Sequence, residues 1–191
     1  SKELYSLDSN EKIAPASTAK MLTAVTVLQF CDLYDQAMVG NEINNVASDA
    51  SKAGLRTGNK VTVKQLLEGL LLPSGNDAAY TLAVYTGRKI AKNRNLKSDD
   101  AINKFVEKMN ENALSMGADS SKFLTPDGYD KEGQYSTAHD LACIASAFMN
   151  SNYGNGVLKK IVKEQRIREC FPDGTDITWN NTNELLNTES K

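Results

Sequence analysis

Ser17 and Lys20 stand three residues apart in Ser17-Thr18-Ala19-Lys20, just behind Pro15. The residues that follow, Met21, Leu22, Val25 and Leu28, carry the i, i+3/i+4 apolar spacing of a buried helix. Positions i and i+3 share a helix face, so the Ser17 hydroxyl and the Lys20 amine can meet. The helix N-terminus adds positive potential, which favours an alkoxide over a hydroxyl and a neutral amine over an ammonium. That is the arrangement of a serine nucleophile with a lysine base. The same spacing also describes an ordinary helix start with a solvated lysine.

A second element changes the weight of the first. Leu70-Leu71-Leu72-Pro73-Ser74-Gly75-Asn76-Asp77-Ala78-Ala79 sets a polar turn between two apolar segments. Val63, Leu66, Leu67, Leu70 and Leu71 give the upstream segment a helical pattern, and Pro73 ends it. Ser74 and Asn76 flank Gly75 and can point together into a cleft. Alone, this is also a plain helix–helix turn with Ser74 or Asn76 as a cap.

Together, the two motifs resemble the penicillin-recognising serine enzymes, whose signature is Ser-x-x-Lys, then Ser-x-Asn, then Lys-Thr-Gly. The closer resemblance is to the serine-type D-alanyl-D-alanine carboxypeptidases, the low-molecular-mass penicillin-binding proteins. Ala14-Pro15-Ala16-Ser17-Thr18-Ala19-Lys20-Met21-Leu22-Thr23-Ala24 resembles their nucleophile helix. Gly54-Leu55-Arg56-Thr57-Gly58, Val61-Thr62-Val63 and Leu66-Leu67-Glu68-Gly69-Leu70 resemble the approach to the second motif. Thr125-Pro126-Asp127-Gly128 and Tyr135-Ser136-Thr137-Ala138-His139-Asp140-Leu141-Ala142 resemble the later helical region. Trp179-Asn180-Asn181-Thr182-Asn183 resembles the segment ahead of the third motif. The blocks are collinear. Lys-Thr-Gly itself does not occur in the 191 residues. The expectation is a fragment lacking sheet strands after Lys191 and ahead of Glu3–Leu7; a degenerate natural homologue is the other reading.

The resemblance implies a β-lactamase/transpeptidase-like α/β (α+β) fold, helix-dominated, with part of the sheet missing, as a single domain over 1–191. It implies that Ser17 attacks the carbonyl of a terminal D-alanyl-D-alanine bond in a peptidoglycan pentapeptide and forms an acyl-enzyme. Lys20 is then the base, Ser74 the relay to the leaving amine, and Asn76 the residue that binds the substrate amide and holds Lys20. The Ser17 N–H supplies half an oxyanion hole. The other half belongs to the third motif, and loss of one donor typically costs about 10²–10³ in rate, so these residues alone should turn over poorly. β-Lactam antibiotics should acylate Ser17. The resemblance also places the protein outside the cytoplasmic membrane, in the cell envelope, with any membrane attachment through segments outside this chain.

Two alternatives stay open. A β-lactamase needs a carboxylate to activate the deacylating water, and no segment suggests itself as that loop. A non-catalytic cell-wall-binding homologue rests on the absent third motif. A Ser-His-Asp hydrolase would have to use His139, the only histidine, which sits beside Asp140 at a helix start where a solvated residue is expected.

The bulk properties exclude other classes. A net charge of −2 provides no basic footprint for nucleic acid. No apolar run approaches the roughly 18 residues of a spanning helix. Cys31, Cys143 and Cys170 form no Cys-x-x-Cys or Cys/His pairing, so no metal or cofactor is expected, and Cys31 and Cys143 read as buried free thiols.

The elements that must position these residues follow from periodicity. Helices are expected over 17–33, 46–53, 63–72, 77–90, 97–116, 137–149 and 157–162. Gly117 is a C-cap, and Ser136-Thr137 with Asp140 resembles a capping box. Strands are expected over 3–7, 164–170 and 175–179, the last two joined through Pro172-Asp173-Gly174.

Overall fold

Helix α1 (Ala19–Leu28) is enclosed by α2 (Val63–Leu71), α3 (Asn76–Ile90), α4 (Ser98–Ser115) and α5 (Ala138–Met149). The computed structural model describes residues 5–151 and 156–186. Every α1 residue except Met21 is buried, because other helices cover it on all sides. Its polar groups are satisfied inside: Thr23 Oγ1 donates to the Pro126 carbonyl at 2.6 Å and Asn112 Nδ2 donates to Thr26 Oγ1 at 3.0 Å. Fully buried Leu22, Leu66, Leu70, Leu82, Phe105 and Phe123 form the surrounding core, each contributing about 1.5–3 kcal/mol by burial.

The small-residue face of α3 packs close to α4. A Cβ on Gly87 would lie 2.0 Å from the Ala101 carbonyl oxygen, so the two backbones cross at a distance only glycine permits. Asp99 and Asp100 lie in the first turn of α4, where the helix dipole favours them. Helix α6 (Val157–Ile161) closes against α2 and α5.

Among the described residues, two antiparallel ribbons flank the helices. β1 (Gln36–Met38) pairs with β2 (Lys60–Thr62), with Ala37 opposite Val61. β3 (Arg166–Cys170) pairs with β4 (Asp176–Asn180), with Arg168 opposite Thr178. The second is the expected hairpin: Gly174, at φ +88°, closes its turn by donating to the Phe171 carbonyl. The hairpin is fastened to the helices by Trp179, whose indole Nε1 donates to the Ala53 carbonyl at 2.8 Å. The fold is helix-dominated with a little sheet, as expected.

Several boundaries depart from the periodicity. α1 stops at Leu28 rather than residue 33, because the Gln29 and Phe30 N–H groups bond to the Thr26 and Val27 carbonyls in tightened turns. Asp32 N–H then donates to the Asp35 carboxylate and starts a new turn. Residues 46–53 are not helical; a 3₁₀ turn spans Asn41–Asn45 instead. At the end of this segment the N–H groups of Ala53, Gly54 and Leu55 all donate to the buried Asp77 carboxylate at 2.7–2.9 Å, which ties them to α3. β1 and β2 were not expected, each being only three residues long. Of the expected strand over 3–7, residues 3 and 4 lie outside the described residues, and Tyr5 and Leu7 are exposed and not in a strand. Cys31 is buried, but Cys143 is only half-buried, because α5 covers the core with one face; all three thiols are free. The capping box at α5 is half formed. Thr137 Oγ1 accepts from Asp140 N–H, while the Asp140 carboxylate turns to Ser120 N–H and Ser121 Oγ.

Candidate active site

Ser17 lies in a 3₁₀ turn, Ala16–Thr18, that feeds directly into α1. Ala16 takes a positive φ of 47°, a conformation that costs a residue with a Cβ about 1–3 kcal/mol. The turn is braced from below by Gly128, at φ +77°, where a Cβ would come within 1.9 Å of the Ala16 carbonyl oxygen. Thr18 Oγ1 folds back onto the Pro15 carbonyl. The Ser17 N–H lies in the first turn, where no intrahelical acceptor exists.

Lys20 sits one turn on, almost wholly buried at 3% exposure. Its Nζ donates to Ser17 Oγ at 3.1 Å and to the Asp127 carbonyl at 2.9 Å. Burial lowers its pKa from 10.5 to about 8, against the opposing charges of Asp127 and Asp77. Burial thus moves Lys20 toward the neutral form that a general base needs. Ser74 Oγ donates to Ser17 Oγ from the other side at 3.0 Å. Ser74 also holds a positive φ of 58°, so the turn between α2 and α3 is strained at the residue that reaches Ser17.

Asn76 opens α3, its backbone N–H donating to the Ser51 carbonyl at 2.9 Å. Its side chain lines a recess beside Ser17 but makes no hydrogen bond to Lys20. Asp127, through its carbonyl, holds the lysine instead. Three of the four expected site residues are thus linked by hydrogen bonds through Ser17 Oγ, and the fourth adjoins them. The expectation missed Asp127 and Asp77. Asp77 carries a readable signal, an acid directly after Ser-Gly-Asn; the Asp127 contact uses the backbone and leaves none.

Ser17 opens on two sides. One is a cleft of about 550 Å³ bounded by Met21, Leu70, Ser74, Phe148, Asn181 and Thr182. Thr182 N–H donates to the Leu72 carbonyl at 3.1 Å, which ties the chain after β4 to the turn carrying Ser74. Asn183 also borders this cleft, whereas Tyr135 lies elsewhere, under the Lys12 ammonium. The other opening is a recess of about 240 Å³ that includes Asn76 and Asp127. His139 takes no part: its ring is half exposed and its Nδ1 faces Asp140 at 3.3 Å. Among the described residues no cluster of His, Cys, Asp and Glu has the form of a metal site, and no helix is long and apolar enough to cross a membrane.

A family model described as D-alanyl-D-alanine carboxypeptidase matches residues 1–191. The chain is 36% identical over 192 residues to a D-alanyl-D-alanine carboxypeptidase of Streptomyces sp. strain K15, covering 98% of this chain and 64% of that protein. It is 37% identical over 159 residues to the D-alanyl-D-alanine carboxypeptidase DacB2 of Mycobacterium tuberculosis, covering 82% of this chain and 48% of the relative. The Streptomyces K15 DD-transpeptidase crystal structure superposes with a TM-score of 0.84 at 34% identity, over 98% of this chain and 71% of that one. Penicillin binding protein 6B from Escherichia coli gives a TM-score of 0.80 at 28% identity, over 98% of this chain and 56% of that one. The chain therefore spans between about a third and two thirds of the length of the first curated relatives it matches.

Proposed function

This chain belongs to the D-alanyl-D-alanine carboxypeptidase family, and from that premise we propose that it is a serine D-Ala-D-Ala carboxypeptidase domain, one domain over 1–191, acting on peptidoglycan stem peptides in the cell envelope. The observation that supports this most is the convergence of Lys20 Nζ and Ser74 Oγ on Ser17 Oγ at 3.1 and 3.0 Å.

Ser17 Oγ attacks the carbonyl carbon of the penultimate D-alanine as its proton passes to neutral Lys20 Nζ. The carbonyl oxygen takes the negative charge and is met by the Ser17 N–H. Ser74, bonded to the same oxygen as Lys20, passes its proton to the leaving amine and takes the one Lys20 gained, which returns Lys20 to its neutral form. The C–N bond breaks and D-alanine departs. Water then cleaves the acyl ester with Lys20 again as base, and Ser17 is restored. Asn76 holds the amide of the acyl donor. The Asp127 carbonyl fixes the lysine, a task expected of Asn76.

A β-lactam presents a strained cyclic amide that mimics the D-Ala-D-Ala terminus, so it acylates Ser17 and stays. Intact mass and peptide mapping after benzylpenicillin test the reading. An adduct on Ser17, absent from Ser17→Ala, supports it; an unlabelled native chain counts against this chain as a competent acyl-transfer enzyme.

A further inference from the structure

The C-terminal end of α3 carries a cavity of one charge sign. Its volume is about 530 Å³, and Gln36, Tyr85, Arg88, Lys89, Lys92 and Arg94 line it, with no carboxylate among them. Asn76, beside Ser17, opens the same helix, so the 15 residues of α3 put about 22 Å between this cavity and the reaction. Lys89 is neutralised by its ion pair with Asp35. Arg88 donates through Nε to the Leu96 carbonyl at 3.0 Å, which fixes its guanidinium and leaves both Nη groups without a partner among the described residues. Lys92 and Arg94 make no ion pair and no side-chain hydrogen bond among those residues.

The backbone at Lys92 is a second, independent observation. Asn93 N–H donates to the Arg88 carbonyl and Lys92 N–H to the Lys89 carbonyl, both at 3.0 Å. These two bonds close α3 in the motif that requires a left-handed residue at position 92, and Lys92 has a φ of +51°. Glycine fills such a position without strain. The helix dipole favours the cations of the last turn, Arg88 and Lys89. It calls neither for a strained lysine at 92 nor for Arg94 beyond the helix. Three cations without counter-charges around one cavity repel one another, and their summed field draws an anion in.

We propose that this cavity binds a phosphate-bearing anion. The anchored Arg88 guanidinium offers a planar fork that matches two phosphate oxygens. Lys92 and Arg94 add charge from the loop after α3, and Tyr85 and Gln36 add neutral donors. The volume falls within the roughly 300–1,000 Å³ of ligand pockets, which is room for a pyrophosphate or a phosphodiester headgroup. Soluble phosphates and anionic lipid headgroups share this chemistry. The site makes no use of Ser17 and stands apart from the acyl-transfer reading.

Titration calorimetry of the native chain with inorganic pyrophosphate tests the site. Saturable binding is expected, weakening as salt rises. Arg88→Gln combined with Arg94→Gln should weaken it by about tenfold or more, the range of lost charge-assisted contacts. Lys159→Gln combined with Lys160→Gln, at two exposed lysines of α6, should leave it within about twofold. Lys92→Gly relieves the backbone strain, so it should lower pyrophosphate affinity while raising the midpoint of thermal unfolding, a combination that a purely structural lysine does not produce. Sedimentation with phosphatidylglycerol vesicles, against phosphatidylcholine vesicles, identifies the source. Pyrophosphate binding together with sedimentation that the Arg88→Gln, Arg94→Gln chain loses supports a lipid headgroup; pyrophosphate binding without sedimentation supports a soluble phosphate. No saturable pyrophosphate binding, or equal affinity in the native and Lys92→Gly chains, overturns the site. Sedimentation without pyrophosphate binding overturns it too, since a diffuse basic surface is enough for that.

Discussion

Gly128 stands directly against Ala16: a Cβ on the glycine would lie 1.9 Å from the Ala16 carbonyl oxygen. That contact joins the loop holding Lys20, through the Asp127 carbonyl, to the turn carrying Ser17. Ser17 and the carbonyl that holds Lys20 are therefore set against each other by backbone packing. Gly128→Ala must displace one of them, and its φ of +77° already disfavours a side chain. Benzylpenicillin acylation should fall by about 10²-fold or more, since a misplacement of about 1 Å can cost that much. Acylation within twofold of the parent, with the fold intact by circular dichroism, would contradict this.

The rate of Ser17 acylation should rise with pH and level off above about 8, following deprotonation of Lys20. Lys20→Met should remove that limb and nearly all labelling. A flat profile between pH 6 and 9 is incompatible with Lys20 as base.

The same lysine costs stability. Its pKa in the folded state, about 8, lies below its ordinary 10.5, so folding disfavours the charged form. The penalty is complete below about pH 8 and disappears as pH rises toward 10.5, and the shift corresponds to about 3 kcal/mol. Lys20→Met should therefore raise unfolding free energy at pH 7, and by much less at pH 10. Urea titrations at the two pH values check it; a destabilised variant at pH 7 would refute the argument.

Glu68 behaves in the opposite sense. Burial pushes its pKa from 4.5 to about 7 despite the Lys64 ion pair, with Glu169 adding repulsion. Its Oε2 is sealed in the interior without a hydrogen-bond partner. The folded state holds a proton between about pH 4.5 and 7 that the unfolded chain has lost, so stability falls as pH rises through that window. Glu68→Gln should stabilise by about 1–3 kcal/mol at pH 8 and have little effect at pH 4.5. An equal change at both would show that packing, not charge, decides.

Asp77 gathers three backbone N–H groups from 53–55. Asp77→Asn removes the charge and at least one acceptor, so unfolding free energy should drop by about 2–4 kcal/mol. Hydrogen exchange of the Ala53–Leu55 amides should accelerate beyond the global change; unchanged protection there would show that the carboxylate is not their anchor.

The sequence alone shows the long helices because each has a continuous apolar stripe, as in Leu66, Leu67 and Leu70, or Ile102, Phe105 and Met109. The 164–180 hairpin is legible from alternation and Pro172-Asp173-Gly174. The three-residue strands at 36–38 and 60–62 are too short to have a period, and the acceptor that ties down Ala53, Gly54 and Leu55, Asp77, lies more than 20 residues along the chain, outside any local pattern.

For the site, local spacing was enough to pair Ser17 with Lys20, because one helical turn fixes i and i+3, and the Ser74-Gly75-Asn76 turn marks itself by its glycine and proline. Which carbonyl holds Lys20, that Ser74 reaches Ser17 across 57 residues of chain, and that three aspartates meet beside Ser17 were decided by tertiary structure. Those contacts are between a backbone carbonyl, hydroxyls and carboxylates brought together by helix packing and by two strained positive-φ residues, Ala16 and Ser74. No local pattern of residue types encodes such meetings, since they depend on the distance between elements rather than on the order within one.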